Sequence, residues 1–526
     1  MLFNSYVFLF AFLPLTYLGW LAISRISGKA AIAWLALASL VYYGWSSTTF
    51  LAIFLFSFAV NAACVGSLDR LKDGRWRWMI SFAGITFNLT MIGYFKYKDF
   101  FLTAFTGGME QDFSLYKIAL PIGISFYTFQ QIAYIVDAYR RVVTGYSVIN
   151  HLLFISFFPQ LIAGPIVHHK EMMPQFARPE MRRKMLNLGI GLSIFAVGLF
   201  KKTVIADGIA HWADPAFAQV ADGHVLTFAE AWIGALAYSF QLYFDFSAYS
   251  DMALGLARMF GITLPLNFNS PYKAKNIVDF WRRWHMTLSR FLRDYLYFPL
   301  GGNRKGVSRR YANLITVMVI GGLWHGAGWT FVFWGFLHGI YLMINNLWRT
   351  AMTALGLSSV CDKHLYRLAA WAITFVAVVS AWVPFRASSI SSASNMLKSM
   401  YGLQGGPVGE SVWLQVVQLR NGIAGIYDII WVALSGQYSH VDRFNADLSY
   451  DMGLAALLYC AAIAFFMPNT YDLFFRYCPA ITEKRRHAAG RGTARLTPAW
   501  AFGFAAIMLI AVLQFPRVSP FLYFQF

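Results

Sequence analysis

The chain has 526 residues, of which 58% are hydrophobic, 18% are aromatic and only 13% are charged. Globular proteins carry about 25% charged residues, and apolar runs of about 20 residues recur along this chain. This composition excludes a soluble globular domain. The alternating pattern of barrel strands is absent, and the net charge of +19 is dispersed between the apolar runs, which argues against nucleic-acid binding. The sequence therefore predicts an all-α polytopic membrane protein.

The apolar runs predict a series of membrane-spanning helices. In chain order they are Phe3–Ser24, Ala30–Trp45, Phe50–Gly66, Trp78–Tyr97, Tyr116–Val136, Val148–Ile166, Leu186–Ile205, Phe228–Phe246, Met252–Leu264, Leu314–Leu347, Leu368–Pro384, Leu454–Met467 and Trp500–Gln514. The first run lacks a basic region and a small-residue cleavage site, so it is predicted to be a retained span and not a signal peptide. The run from Leu314 is too long for one straight span, and its glycines predict a break near His325.

Basic loops predict which ends of these helices face the cytoplasm. They lie at 69–78, 139–141, 168–184, 303–310 and 483–495. Only one apolar segment, interrupted by Pro159 and Pro165, separates the second loop from the third. A single crossing would put one basic loop outside, so we expect a re-entrant hairpin there that lines the protein interior. His168 and His169 adjoin the third basic loop and are expected to be exposed.

Several polar side chains lie in or beside apolar segments, where each could join a buried structural network or line a site. They are Ser125, Gln160, Asp245, Tyr249 and Asn269. Asp245 and Tyr249 are four residues apart and would be neighbours on one helix face. Ser125 lacks the G-x-S-x-G context of a nucleophile elbow, which argues against a covalent serine mechanism.

The stretch Asp279–Phe298 predicts one amphipathic helix in the membrane interface. His285 falls within its apolar arc, where burial is expected. Arg282, Arg283 and Arg290 fall on the polar face, toward lipid headgroups. Together with Lys273, these arginines are candidates to receive the phosphates of a donor such as a coenzyme A.

Two histidines, His285 and His325, are the strongest candidates for chemistry, each next to a tryptophan, Trp284 or Trp324. An ionisable group at membrane depth is a functional candidate by default. A buried neutral imidazole can accept the proton of a hydroxyl group as that hydroxyl attacks a thioester. The second ring could polarise the thioester carbonyl or orient the first ring. His338 lies about 220° round an ideal helix from His325 and is expected to pack or support the site.

These residues carry a resemblance to a known family. WRRWHMTLSRFLRDYLYFPLGGNR and GGLWHGAGWTFVFWGFLHG closely resemble the membrane-bound O-acyltransferase (MBOAT) superfamily, in particular its bacterial polysaccharide-acetylating branch, which includes the alginate O-acetylation membrane subunit. LPIGISFYTFQQIAYIVDAYR, FFPQLIAGPI, QLYFDFSAYSDMALGLARMFGI, NFNSPYKAKNIVDFW, WVPFRA and SPFLYFQF agree. The resemblance departs mainly in residues 388–499. The glutamine of FPQLIAGPI stands where alginate members have a histidine.

The resemblance implies a multi-helix bundle around a tunnel that crosses the bacterial inner membrane. His325 would be the catalytic histidine and His285 its conserved partner. The donor would be acetyl-CoA or an acyl carrier thioester on the cytoplasmic side. The acetyl group would pass to a periplasmic acetyltransferase partner or to a polysaccharide such as alginate or cellulose. No tightly bound cofactor is implied, and no histidine spacing is typical of a metal site.

The whole chain is predicted to form one integral membrane domain. Residues 1–136 would supply N-terminal spans, 137–347 the catalytic core, 388–450 an extracytoplasmic insertion with two short helices, and 454–526 the C-terminal spans. Other functions remain open. One is a solute transporter in which the histidines relay protons, although no inverted repeat supports it. Others are D-alanyl transfer to teichoic acid and acyl transfer to a lipid or protein acceptor within the same superfamily.

Overall fold

The computed structural model describes residues 1–72, 74–105, 119–143, 145–177, 184–403, 446–482, 493–495, 497–517 and 519–522. Within these residues all regular secondary structure is helical, apart from an isolated parallel bridge between Pro265 and Ile481. The all-α prediction is therefore confirmed. The two short helices predicted within 388–450 lie outside the described residues.

Twenty α-helices follow one another along the described chain. They are α1 (Leu13–Ile23), α2 (Gly28–Gly44), α3 (Thr48–Arg70), α4 (Arg75–Ile92), α5 (Lys98–Phe105), α6 (Ile124–Tyr139), α7 (Val148–Ser156), α8 (His169–Ala177), α9 (Lys184–Phe200), α10 (Asp207–Ala221), α11 (Phe228–Met259), α12 (Ile277–Trp281), α13 (Met286–Leu292), α14 (Val307–His325), α15 (Trp329–Ala354), α16 (His364–Arg386), α17 (Ile390–Met400), α18 (Ala446–Phe466), α19 (Thr470–Leu473) and α20 (Pro498–Leu513). Short π-helical segments occupy Phe8–Phe12, Gly93–Tyr97, Lys201–Ala206 and Arg293–Tyr297.

Four helical stretches in the described residues are long and apolar enough to cross a membrane. They are Thr48–Arg70, Arg75–Ala104, Lys184–Ala221 and His364–Arg386. Local signals set where several helices begin. Ser27, Ser47 and Ser147 each accept a hydrogen bond from a backbone N–H of the first turn of α2, α3 and α7, which satisfies a donor that the helix cannot.

Helix α11 lies at the centre of the protein. Its 32 residues extend for about 48 Å at 1.5 Å per residue, and most of them are buried. The two spans predicted at Phe228–Phe246 and Met252–Leu264 are therefore one helix. Close packing against α9 explains its burial, because a Cβ atom at Gly255 would lie 2.6 Å from the carbonyl oxygen of Gly191. Only glycine allows the two backbones to approach so closely.

The predicted re-entrant segment is a short helix followed by a buried loop. Helix α7 has nine residues and would extend for only about 14 Å, too short to cross a bilayer. The loop that follows it up to His168 is buried, and the Gln160 side chain donates to the carbonyl of Phe154 at 2.8 Å. His168 and His169 are only 4% and 5% exposed, so the prediction that they are exposed loop residues was wrong.

The segment Asp279–Phe298 is not one helix, contrary to the prediction. Helix α12 ends at Trp281, and α13 begins at Met286. Between them His285 has φ 41° and ψ 52°, a left-handed conformation that is uncommon for a residue with a side chain. The break also turns Thr287, which falls on the predicted polar face, into the interior, where it is 2% exposed.

The long run Leu314–Leu347 folds as a helical hairpin that is interrupted after His325, as its glycines predicted. Helix α14 ends at His325 and α15 begins at Trp329. The two helices are antiparallel and in near contact, since a Cβ atom at Gly322 would lie 2.2 Å from the carbonyl oxygen of Phe331. At Gly335 a Cβ atom would lie 2.3 Å from the carbonyl oxygen of Met318. The hairpin thus places His325 at its turn.

Candidate active site

His285 is held by a side chain from the loop that follows α11. Its Nδ1 lies 3.0 Å from the Oδ1 atom of Asn267, which also accepts from the Thr287 hydroxyl at 2.8 Å. The backbone N–H of Thr287, which can only donate, lies 3.4 Å from the same Oδ1 atom and fixes the orientation of the amide, whose Nδ2 group then donates to Ser250 at 3.1 Å. His285 therefore carries its proton on Nδ1, and its Nε2 atom is an acceptor.

His325 is the last residue of α14 and lies among aromatic side chains. It is 4% exposed, and its ring centroid lies 5.2 Å from that of Trp334 on α15 and 5.3 Å from that of Phe385 on α16. Trp324, the preceding residue, lies 5.0 Å away. This apolar wall excludes water from the ring and lowers the local dielectric, which strengthens any electrostatic contact there.

The structure brings the two predicted histidines together. Their ring centroids are 6.3 Å apart, too far for a direct hydrogen bond between the imidazoles but close enough for both to contact one reacting group. His285 comes from the turn before α13 and His325 is the last residue of α14, so two separate helix ends meet at the site. Trp284, the other predicted tryptophan, lies 4.8 Å from Trp382 on the same aromatic wall.

A buried cation from the π-helical segment after α4 fixes the end of α14. The Lys96 ammonium group donates to the carbonyl oxygens of Trp324 at 2.6 Å and of His325 at 3.0 Å. It also lies 3.4 Å from the Ser125 hydroxyl. The Tyr97 hydroxyl donates to the carbonyl oxygen of Leu323 at 2.8 Å. These groups satisfy the carbonyls that the last turn of a helix leaves without partners, and a cation is favourable at this negative end.

His338 is closer to the site than its helical angle predicts. The Trp281 indole N–H donates to the Nδ1 atom of His338 at 3.3 Å, and the ring centroids of His338 and Trp334 are 4.8 Å apart. Trp334 thus lies between His325 and His338 and contacts both rings.

Four other predicted residues lie in structural networks and not beside the histidines. Asp245 forms an ion pair of 2.7 Å with Lys202 and accepts from the backbone N–H of Leu522. The Tyr249 hydroxyl interacts with the backbone of the re-entrant loop. Gln160 bonds the end of α7. Asn269 accepts from Asn469 at 3.2 Å.

Three of the four predicted phosphate-binding cations are engaged by the protein itself. Lys273 donates to the carbonyl oxygen of Met467 at 2.7 Å, and Arg283 lies 3.0 Å from an Asp279 carboxylate oxygen. Arg290 forms a two-point ion pair with Glu171, with distances of 2.5 and 2.8 Å. Arg282 is exposed.

The ion pair of Arg290 belongs to a buried polar cluster that joins α8 to α13 and its π-helical extension. Asp137 accepts from His169 and from the Tyr295 hydroxyl, each at 2.9 Å. The same hydroxyl lies 3.4 Å from the Nδ1 atom of His168. Burial, reinforced by the Arg290 guanidinium, lowers the pKa of His168 from 6.5 to about 4. His168 is therefore neutral near pH 7.

Three residues that sequence reasoning missed shape the site. Lys96 lies within the predicted span Trp78–Tyr97, and the argument that singled out the deep histidines applies equally to a lone lysine in an apolar run. Trp382 lies within WVPFRA, which carried only the family resemblance. Asn267 has no distinguishing signal, because it is two residues from Asn269 in an extended stretch.

Comparisons with known proteins agree with this architecture. The family model described as MBOAT, membrane-bound O-acyltransferase family, matches residues 41–383. The chain is 44% identical over 433 residues to a protein from Helicobacter pylori named peptidoglycan O-acetyltransferase, with 77% of this chain and 80% of that protein covered. It is 41% identical over 414 residues to the probable alginate O-acetylase AlgI of Pseudomonas aeruginosa, covering 76% of this chain and 75% of that protein.

A more distant similarity extends to a protein that transfers another acyl group. The teichoic acid D-alanyltransferase of Streptococcus thermophilus is 30% identical to the chain over 237 residues, which cover 43% of this chain and 57% of that protein.

Proposed function

Because this chain belongs to the membrane-bound O-acyltransferase family, we propose that it transfers acetyl groups from a cytoplasmic thioester donor, such as acetyl-CoA, for O-acetylation of an extracytoplasmic polysaccharide. The observation that carries the proposal is the pair of buried histidines, whose ring centroids are 6.3 Å apart within an aromatic enclosure. Two imidazoles at this distance can both contact one acceptor substrate.

In the proposed reaction His325 is the general base. It takes the proton of the acceptor hydroxyl as the hydroxyl oxygen bonds to the thioester carbonyl carbon. The C–S bond then breaks, and the proton passes from His325 to the leaving sulfur, so that an ester and a thiol result. His285 carries its proton on Nδ1 and in its neutral form has no N–H on Nε2 to offer a carbonyl. Because the attacking hydroxyl gives its single proton to His325, the Nε2 atom of His285 accepts from a different hydroxyl of the acceptor and so orients it.

The relatives' names bear on the acceptor, which is peptidoglycan for one and alginate for another. Both are glycans outside the cytoplasm, so the proposal includes an inner-membrane location, a tunnel that the acyl group crosses and a periplasmic acetyltransferase partner. The lower coverage of the D-alanyltransferase favours acetyl over D-alanyl transfer. Arg282, the exposed cation of the four, is the strongest candidate to contact a donor phosphate.

The test compares a strain that lacks the chain with strains that express the wild type, His325→Ala, His285→Ala or His364→Ala. His364 is an exposed histidine at the start of α16 and serves as the matched control. Ester-linked acetate is released by mild base from purified peptidoglycan and from exopolysaccharide, and protein amounts are compared by immunoblot.

We expect His325→Ala to lower acetylation by at least about 100-fold, in line with the loss of a positioned base, while His364→Ala leaves it unchanged. The glycan that loses acetate identifies the acceptor. An active His325→Ala protein at normal abundance would contradict the role of this residue. If the acetate content of no glycan changes in any strain, and the purified protein leaves acetyl-CoA intact, the results would favour a transporter in which the histidines relay protons.

A further inference from the structure

In the proposed mechanism no group yet binds the carbonyl oxygen of the donor, and two buried N–H groups lie on the aromatic wall next to the proposed base, one on Trp334 and one on His338 behind it. Neutral His285 presents an acceptor at Nε2, so it cannot supply the hydrogen bond that a developing oxyanion requires. The identity of the groups that supply this bond rests on the proposed function.

The first donor is His338, whose tautomer is fixed by its neighbour. Because the Trp281 indole can only donate, the Nδ1 atom of His338 that receives it at 3.3 Å carries no proton. The neutral ring therefore carries its proton on Nε2. His338 is completely buried, and within the described part of the chain this Nε2 group has no hydrogen-bond partner.

The second donor is the indole N–H of Trp334. This side chain is 1% exposed, and its Nε1 group also lacks a partner among the described residues. Trp334 contacts His325 on one side and His338 on the other, with ring centroids 5.2 Å and 4.8 Å away. Two buried donors without partners are costly in an apolar interior. Here the Trp334 ring contacts the proposed base, and the His338 ring contacts Trp334.

We propose that the Nε2–H of His338 and the Nε1–H of Trp334 bind the carbonyl oxygen of the acyl donor and stabilise the negative charge that develops on it. The Nε1–H of Trp334 can only donate, and so can the Nε2–H of the neutral His338 ring. A pair of donors suits an oxygen that gains negative charge, and it does not suit a hydroxyl that must lose its proton. His325 then acts on the hydroxyl, and the pair across Trp334 acts on the carbonyl. No step requires a further reactant, because the charge returns from this oxygen when the C–S bond breaks.

The matched variants separate donation from packing. His338→Phe keeps a planar ring but removes the N–H group. His338→Gln places an amide N–H close to the position of Nε2, and Trp334→Phe removes the second donor. Each is expressed as the full chain in membranes that retain any partner protein. Initial rates of glycan acetylation are measured with acetyl-labelled acetyl-CoA. The purified proteins are then tested for binding of S-ethyl-CoA, a thioether that lacks the carbonyl oxygen.

We expect His338→Phe to lower the rate by about 100-fold or more, the effect of losing one oxyanion donor, while its affinity for S-ethyl-CoA stays that of the wild type. Its thermal midpoint should fall modestly, because the Trp281 indole loses its acceptor. His338→Gln should recover at least about a tenth of the wild-type rate, and Trp334→Phe should fall between the two. A His338→Phe rate within threefold of wild type would overturn the proposal. So would a loss of S-ethyl-CoA binding that matches the loss of rate, because His338 would then only shape the pocket. Wild-type membranes that acetylate no glycan would instead overturn the proposed function itself.

Discussion

Three side chains, Asn267, Lys96 and Tyr97, hold the two histidines in place. Asn267 accepts from His285 and from Thr287, which selects one imidazole tautomer and fixes the turn that presents the ring. Lys96 and Tyr97 bond three successive carbonyls at the end of α14 and so fix the backbone of His325. Both arrangements depend on polar groups from distant parts of the chain.

Removal of the Asn267 side chain should release the tautomer of His285. We expect Asn267→Ala to lower glycan acetylation by about 100-fold, the lower end of what a positioned acid or base contributes, because the Nδ1 proton loses its acceptor. Asn269→Ala is the matched control, since that residue lies two positions away and bonds only loop residues. Rates are measured in the same membrane preparations. Equal activities for the two variants would refute the role of Asn267.

Lys96 should matter for both stability and activity. Lys96→Met leaves the carbonyls of Trp324 and His325 buried without their cation, which should destabilise the protein by about 1–3 kcal/mol and displace His325. Thermal midpoints in detergent and acetylation rates provide the measurement. Lys98→Met is the control, because Lys98 forms a 3.7 Å ion pair with the exposed Asp99 and lies 5.7 Å from the centroid of the Tyr94 ring, two contacts that contribute little at an exposed site. If both variants behave alike, the capping role is wrong.

The sequence predicted that the two histidines are buried and are candidates for chemistry, because each of them falls among apolar residues in the sequence. It could not distinguish Asn267 from Asn269, since residues two positions apart in an extended stretch point to the same side and only the tertiary structure decides which of them meets His285. Nor could it predict the break at His285, because a left-handed conformation at a residue other than glycine leaves no sequence signal.

At the level of helices, the α14–α15 hairpin does most to position the site. Its glycines allow backbone contact along both helices, so the turn that carries His325 is held from two sides. The glycines themselves predicted the interruption near His325, but the return of the chain as a second antiparallel helix needed the structure. The structure was also needed for α11, because the polar residues at its centre predicted two spans where there is one helix.

A methyl group at Gly335 should disrupt this hairpin. Alanine normally favours a helix interior over glycine by about 1 kcal/mol, but at Gly335 its Cβ atom would lie 2.3 Å from the carbonyl oxygen of Met318. We therefore expect Gly335→Ala to lower the thermal midpoint and abolish most activity. Gly503→Ala on α20, where nothing lies within 4 Å of the added atom, should keep or raise the midpoint. A Gly335→Ala protein as stable as the wild type would show that the helices can separate without loss.

Across the whole molecule, the helices that are apolar enough to cross a membrane are not the helices whose ends carry the two histidines. The four stretches apolar enough to cross a membrane include α3 and α16, whereas α11, α14 and α15 are not among them. Polar contacts between helices replace part of the apolar surface in the interior, as in the cluster that joins α8 to α13. Such a cluster makes the stability of the whole protein depend on pH.

Acidification should destabilise the protein through His168. The pKa of His168 is lowered to about 4 in the folded chain and returns to its ordinary value near 6.5 on unfolding. Between these values the unfolded chain binds a proton that the folded chain does not, so the free energy of unfolding falls as the pH falls, by up to about 1.4 kcal/mol per pH unit. Thermal midpoints from pH 7 to 5 should therefore decline less for His168→Gln than for the wild type or the exposed-site control His364→Gln. An identical decline in all three proteins would exclude His168 as the source.

The burial of α11 also has a consequence for how the protein is made. The machinery that inserts membrane proteins accepts a helix by its own apolar character, and α11 is not among the stretches that qualify. The 38-residue stretch Lys184–Ala221 does qualify, precedes α11 in the chain and packs against it through Gly191 and Gly255. During synthesis this partner of α11 therefore leaves the ribosome before α11 does. The order of helices along the gene is in this sense part of the assembly pathway.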